Sequence, residues 1–339
     1  MSKAKKLPSG NWRIQIFLGK SPDGKNIMKS ITAPTKKEAE YLAMQYKHEY
    51  SNNNMQIDCT VAEALDKYIS NREKVMSPST FREYNRSRQR DYTSIEEYKV
   101  SAISSEIIQR FINNYSINHS PKSTRNIYGL LHSAIIAIDP NRTIRVQLPQ
   151  KEVNHYHIPT DDEIKILIDA ARPELRIAIL LASIGTMRRG EICGLKYSDI
   201  KDNFIHVQRV VVQNYNKDWV IKDIPKTNSS DRWIEYPSEV IKEIKNIGTG
   251  EGFIFKMNPN NITNRFARLK RKCGIDCRFH DLRHYAASIM HAIGVPDQYI
   301  MERGGWSSDV TLKNVYRNVL DDKRNQFVDK TNEYMKKFL

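Results

Sequence analysis

Two arginines, a histidine, a lysine, a tryptophan and a tyrosine in the C-terminal half of this 339-residue chain are the side-chain types that chemistry at a phosphodiester requires. The densest stretch runs from Phe279 to Tyr316, reading FHDLRHYAASIMHAIGVPDQYIMERGGWSSDVTLKNVY. On a helix its His280 and Arg283 would share one face, because residues three apart are neighbours there. Upstream, SIGTMRRGEICGL contributes Arg188, and IKDIPKTNSSDRWIEYP contributes Lys226 beside a turn. A phosphodiester is anionic, so a metal-free site must set cations around its nonbridging oxygens as the pentacoordinate transition state forms. Arg188 and Arg283 come from distant segments and can clamp the phosphate from two directions with planar forks of donors. His280 can hydrogen-bond or exchange a proton. Lys226 can swing to a leaving 5′ oxygen and protonate it. Trp306 donates only through its indole N–H, which can orient a phosphoryl oxygen but cannot transfer a proton. Tyr316 is the remaining nucleophile, able to attack phosphorus and store the bond as a 3′ phosphotyrosine.

Singly, each residue has a plainer reading. Arg-Arg-Gly-Glu can cap a helix through a Glu191 salt bridge, and His-x-x-Arg is common on helices. A lysine in a polar turn is normally solvated. A tryptophan after two glycines, or a tyrosine on a helix, normally packs in a core. Order, spacing and joint chemical sense raise the set above those readings. Cys273, Cys277, His280 and His284 hint at zinc, but their spacing matches neither a two-residue cysteine knuckle nor the long gap of a finger, and Gly274 interrupts them. HExxH, a glycine-rich nucleotide loop and a dense carboxylate cluster are all missing. We therefore expect no metal and no cofactor, with Asp281 and Asp309 as helix-start or structural residues.

The elements that position this set follow from composition and pattern. The length suggests two or three domains, and 40% hydrophobic residues can supply their cores. Lys+Arg of 54 against Asp+Glu of 39 leaves +15, which favours a polyanionic partner, nucleic acid before anionic membrane. Four cysteines without a secretory leader fit a reducing cytoplasm, and RIAILLASIG, the strongest apolar run, is too short to span a bilayer. From Asn11 to Ile31 two apolar runs flank the turn SPDGK, a hairpin signal, and KKEAEYLAMQYKHEY carries one helical stripe. Lys3, Lys5, Lys6, Arg13 and Lys20 make this module basic, so it reads either as a DNA-binding sheet or as an interaction cap.

SNNNMQIDC is a polar connector. Beyond it Thr60 and Glu63 form a capping box, and helical patterns continue through STFREYNRSRQRDYTSI, SEIIQRFINNYS and STRNIYGLLHSAIIAI. Arg82, Arg86 and Arg88 lie on the second of these helices. Lys122 and Arg125 sit in the first turn of the last one, against the macrodipole, which suggests a role other than helix stability. IRVQLPQKEVNHYHIPTDDE is a second connector, ending in the capping box of Thr160 and Glu163. ELRIAILLASIG, apolar nearly all round, reads as a buried central helix. NFIHVQRVVVQ, DWVIKDIP and RWIEYP give three strand patterns, FIF a short buried strand, and the chain from Phe279 reads as four helical pieces.

Taken together, MRRGE, Lys226, HDLRH, GGWSS and Tyr316 resemble the motifs of the tyrosine recombinases of the phage or mobile-element integrase type. The resemblance makes Arg188, Lys226, His280, Arg283, Trp306 and Tyr316 the catalytic set, with Glu191 as a buried structural acid. Two departures stand out: IGTMRR replaces the commoner T-G-x-R, and Trp306 stands where most members have His, which leaves general-base duty to His280. The resemblance implies a multidomain fold. Residues 1–55 would be an α+β arm-site DNA-binding module, a three-stranded sheet plus a helix. Residues 60–150 would be an all-α, SAM-like core-binding domain. Residues 158–320 would be a mainly α catalytic domain with a small β-sheet, and 321–339 a terminal helix donated to a neighbouring protomer. Lys3, Lys5, Lys6, Arg13, Lys20, Arg82, Arg86, Arg88, Lys122 and Arg125 are then the candidate DNA contacts. The implied partners are double-stranded DNA with core and arm attachment sites, and three further copies in a homo-tetramer. An excisionase and a host DNA-bending protein would be accessory factors, with no membrane partner. The implied activity is integration, and with an accessory factor excision, of an element through a four-way junction. A resolvase-type recombinase and a non-catalytic DNA-binding regulator of the same fold are the alternatives; the basic N-terminal module argues against the first and the intact six-residue set against the second.

Overall fold

The computed structural model describes residues 4–20, 26–57, 59–152, 157–224, 229–309, 332, 333, 335 and 336. The chain divides into two compact units, Met1–Glu152 and Val153–Leu339.

The first unit opens with an antiparallel sheet, β1 (Lys5–Lys6), β2 (Trp12–Lys20) and β3 (Asn26–Ala33), in that spatial order. Side chains alternate across a strand, so the register Ile14↔Ile31 turns Ile14 and Ile16 to one face. There they pack with Ala33 and with Ala39 and Ala43 of α1 (Lys36–Ile57). The opposite parity leaves Arg13, Gln15 and Phe17 exposed. This is the expected three-stranded sheet plus helix, β1 being the strand that the hairpin pattern did not reveal.

Four helices follow: α2 (Val61–Ser70), α3 (Pro78–Asp91), α4 (Ser105–Ser116) and α5 (Pro121–Ile138). The capping box at α2 forms as its sequence dictates, Glu63 N donating to Thr60 Oγ1 at 3.1 Å and Thr60 N to Glu63 Oε2 at 2.7 Å. Leu65, Ile69, Ile108, Ile112, Leu131 and Ile135 make the centre of a separate core, crossed by the Tyr92 hydroxyl, which donates to the Ile127 carbonyl at 2.7 Å.

The second unit is built on α7 (Pro173–Gly185), buried along most of its length as its all-round apolar sequence requires. Around it lie α6 (Asp161–Ala170), entered through the Thr160/Glu163 capping box, the short α8 (Arg189–Cys193), α9 (Ser238–Ile247), α10 (Pro259–Cys273) and α11 (Asp281–Ala292). A final described helix, α12 (Asp297–Gly304), packs on α11. Five strands form two small sheets. β4 (Ile200–Lys201), β5 (Phe204–Val207) and β8 (Arg232–Glu235) pair in the order β4-β5-β8, and β6 (Arg209–Gln213) pairs with β7 (Trp219–Asp223) as a hairpin. The run NFIHVQRVVVQ, expected as one strand, breaks at Gln208. The cause is Asp199, which accepts from Gln208 Nε2 at 2.8 Å and also pairs with the Arg209 guanidinium, so the chain turns there to bring both side chains to one carboxylate. FIF is not a strand: Phe253 makes one isolated bridge to Lys196, and Ile254 and Phe255 are plain core residues. Of the four helical pieces expected after Phe279, α11 and α12 are described; the piece expected to carry Tyr316 and nearly all of 321–339 lie outside the described residues. Among the described residues no helix is long and apolar enough to cross a membrane.

Candidate active site

Arg188 caps α8 and is fixed at both ends. Its backbone N–H donates to Glu191 Oε2 at 2.9 Å, its Nη1 to Glu191 Oε1 at 2.6 Å, and its Nη2 to the Gly305 carbonyl at 3.3 Å. Glu191 is 2% exposed and serves a second cation, Arg232, whose Nη2 meets Oε2 at 3.0 Å. Burial alone would raise the Glu191 pKa; Arg232 first and Arg188 second outweigh it and hold the carboxyl below its usual range. Glu191 thus neutralises the cation behind Arg188 while Arg188, a third exposed, keeps donors for an anion.

Sequence reading missed Arg232. The signal was present in the period of the strand: with Ile234 inside, residue 232 on the same face must be inside too, and a buried guanidinium requires a carboxylate. Its Nε also donates to the Arg303 carbonyl at 2.8 Å, tying β8 to the end of α12.

Arg283, 1% exposed, enters from α11. Nη2 donates to the Gly304 carbonyl at 2.6 Å and Nη1 to the Thr186 carbonyl. The guanidinium lies 4.0 Å over the Trp306 ring. Burial, then the nearby Arg188, lower its pKa from the usual guanidinium range; it remains a cation at neutral pH. Two of its five donors are spent on carbonyls. Trp306, 8% exposed, packs with Ala287 and Ile300, so its place in the site is a platform under Arg283. The indole fits only because residue 304 is glycine, where a Cβ would come within 2.0 Å of the ring.

The departure at IGTMRR has a steric cause. A Cβ on Gly185 would fall 1.6 Å from the Tyr236 hydroxyl, which donates to the Leu181 carbonyl at 3.0 Å, so glycine is required there. Thr186 then takes the left-handed position that ends α7, at φ 60°. A β-branched residue is strained in that region by about 1–3 kcal/mol. Its hydroxyl, donating to the Gly185 carbonyl at 2.5 Å and lying 3.1 Å from that of Arg303, offsets part of the strain.

His280 precedes α11. Part of the residue is open to solvent, yet desolvation of the imidazole, then His284 and Arg283, bring its pKa down to about 4. It is therefore neutral at physiological pH and able to accept a proton. Arg188, Glu191, His280, Arg283 and Trp306 thus gather at one place. Lys226, in the link between β7 and β8, and Tyr316 lie outside the described residues. Cys273 and Cys277 are free thiols, and among the described residues no three metal-ligating side chains come together.

The candidate DNA contacts fare differently. Lys5, Lys6 and Arg13 are exposed on or beside the N-terminal sheet, and Lys122 is exposed on α5. Arg86 is exposed, 3.4 Å from Glu83. Arg88 has an internal role instead: with its side chain 16% exposed, it pairs with Asp66 at 3.0 Å and Glu96 at 2.8 Å, joining α3 to its neighbours. Arg82 pairs with Glu83 at 2.8 Å, and Arg125 Nε donates to the Pro149 carbonyl at 3.0 Å. Lys3 and the side chain of Lys20 are outside the described set.

The phage integrase family model matches residues 159–323. A tyrosine recombinase XerC-like protein of Caldanaerobacter subterraneus subsp. tengcongensis is 26% identical over 95% of this chain and 96% of its own length. The integrase of Salmonella phage P22 is 29% identical over 48% of this chain and 44% of its own. Among solved structures, the Tn1549 transposon integrase in complex with a circular intermediate DNA matches with a TM-score of 0.68 at 16% identity, over 79% of this chain and 99% of that one. The lambda integrase tetramer bound to a Holliday junction matches with a TM-score of 0.61 at 19% identity, over 93% and 95%.

Proposed function

Since this chain belongs to the tyrosine recombinase family and is a site-specific DNA strand transferase, we propose that Tyr316 is its nucleophile and that the cluster around Glu191 and Arg283 is where the scissile phosphate binds. The Tyr316 hydroxyl attacks phosphorus, its proton passing to neutral His280. The bond from phosphorus to the 5′ oxygen breaks, and that oxygen leaves with a proton from Lys226. A 3′ phosphotyrosine remains, from which a second strand's 5′ hydroxyl reverses the steps. Two successive transesterifications conserve the number of phosphodiester bonds, so the exchange needs no ATP. Arg188 and Arg283 stabilise the extra charge on the nonbridging oxygens, and because their partners hold them in place beforehand, little reorganisation is needed at the moment of reaction.

The observation that carries this reading is the bracing of both guanidiniums by one turn: Gly304 and Gly305 offer their carbonyls to Arg283 and Arg188. The N-terminal sheet, with Arg13 on its uncovered face, supports an integrase reading over a resolvase, because it provides a second basic surface for arm-type DNA. Four copies would act on two DNA segments through a four-way junction, with residues 321–339 reaching a neighbouring copy and accessory proteins setting direction.

A nicked suicide substrate tests the reading. Wild-type protein should form a protease-sensitive covalent adduct with DNA in EDTA, and Tyr316→Phe should form none. Adduct formation by Tyr316→Phe would remove the nucleophile assignment. Lys226→Ala should slow cleavage, with rescue by a substrate whose 5′ leaving group needs no proton.

A further inference from the structure

Three side chains on one stripe, running from the residue that caps α11 into the helix, remain unexplained by phosphate binding alone. His280, His284 and Ser288 follow at intervals of four, which stacks them along one side of the helix. The rings of His280 and His284 meet edge to face, centroids 4.9 Å apart and planes at 89°. That contact restricts rotation of the His280 ring, since turning it would drive its edge into the neighbour. One turn further on, His284 Nδ1 and the Ser288 hydroxyl are both buried, and neither has a hydrogen-bond partner among the described residues. Ser288 is 2% exposed and does not bond back to the carbonyl one turn earlier, the ordinary recourse of a helical serine.

Leaving a buried polar atom unsatisfied costs roughly 1–3 kcal/mol, and native interiors hold few such atoms. Two of them one helical turn apart are what a single water bridges. We propose that His284 is a positioning residue for His280, itself held by Ser288 through one bound water, so that the three side chains work as one ladder. The inference rests on the reading of His280 as the acceptor of the Tyr316 proton. Its chemical content is specific. A bond at Nδ1 fixes the orientation of the His284 ring, and a neutral, fixed His284 presents an uncharged edge or face to His280. The charged groups around the two rings are Asp281 and Arg283 on α11, Arg278 just before it and, toward His280, Arg188 at the head of α8. Burial is the main opposition to a second proton on His284; Asp281 favours that proton and Arg283 and Arg278 disfavour it, and the net direction is toward the neutral ring.

Single-turnover cleavage of the nicked substrate, followed across pH, tests the ladder in the full-length protein. His284→Phe keeps a flat ring against His280 and removes both nitrogens; Ser288→Ala removes the hydroxyl; His284→Asn restores a polar atom near the place of Nδ1. Each of the first two should slow cleavage roughly tenfold, and the double variant should be no slower than the worse single one, as expected of groups acting as a unit. His284→Asn should recover most of the rate. In 15N-histidine spectra the His284 Nδ1 signal should report a hydrogen bond in the wild type that is lost in Ser288→Ala, a change that mere loss of packing would not produce. Wild-type rates in both single variants, or multiplicative losses with unchanged His284 spectra, would overturn the ladder even if Tyr316→Phe is inert. Activity in Tyr316→Phe would overturn the underlying reading instead, so the two failures are distinguishable.

Discussion

In the second unit the arginines of the site are gripped from several sides, whereas in the first unit several of the candidate DNA contacts stand in solvent. Arg283 is held by two carbonyls and a tryptophan face, and Arg188 by a carboxylate and a carbonyl, with Arg232 behind them on the same Glu191. Arg13 and Lys122 are exposed, and Arg86 is 60% exposed at its side chain. On the proposed reading, the difference follows the task. Charge developing in a transition state is stabilised by groups that need not move, and it rewards fixing them in advance. Charge along a duplex is met by releasing counterions, a contribution that tolerates flexible side chains. Arg88 cautions against sorting by residue type alone, because it lies in the first unit yet is tied down like a site arginine.

The sharpest way to break this contrast is Glu191→Ala. It leaves Arg188 and Arg232 without their shared carboxylate, and removing one member of a buried ion pair costs about 3–5 kcal/mol. Chemical denaturation monitored in the second unit should report that loss. The same pair predicts an acid dependence. The folded pKa of Glu191 lies below its ordinary 4.5, so its contribution is fully present above that value and is lost as pH falls through the lower folded one. Next in size, Arg283→Lys replaces a fork by a point charge. Cleavage should fall about 10²–10³-fold, the range for losing one transition-state donor. Noncovalent DNA binding, measured by mobility shift, should change little, and a matching loss of binding would contradict the division of labour.

Smaller effects are expected in the first unit. Arg86→Ala and Lys122→Ala should each lower the salt slope of DNA binding by about 1 and leave cleavage at saturating DNA intact. Arg88→Ala should reverse that outcome, lowering stability without moving the slope. Smallest is a pair of glycines. Gly129, mid-helix on α5 with nothing within 4 Å of an added Cβ, should gain about 0.5–1 kcal/mol as alanine. Gly185→Ala in the second unit should instead destabilise, because Tyr236 fills the space. Thermal unfolding of the two variants distinguishes them by sign.

Much of this was legible in the chain because it is written locally. Thr60 with Glu63 and Thr160 with Glu163 are capping boxes in sequence and in space, and the apolar run of α7 is buried as its composition demands. Arg188, Glu191, His280, Arg283 and Trp306 could be grouped from their motifs. What stayed hidden depends on long-range pairing. Arg232 matters only because β8 delivers it to Glu191, 41 residues away in sequence. The strand broke at Gln208 because of a carboxylate nine residues earlier in the chain. Arg88 looked free because Asp66 and Glu96 lie on other segments. Trp306 was expected to use its N–H, and the structure shows its ring face against Arg283, a choice decided by packing and invisible in GGWSS.

The turn at Gly304 and Gly305 has one more implication. Both guanidinium forks rest on its main chain, and Tyr316 is eleven residues beyond Gly305 in the same unbroken run. Aim and reach are therefore inherited separately. If Tyr316 is the nucleophile we propose, a change in the number of residues between Trp306 and Tyr316 alters the attack while leaving the two guanidiniums on their carbonyls, whereas an edit within the turn reaches both of them.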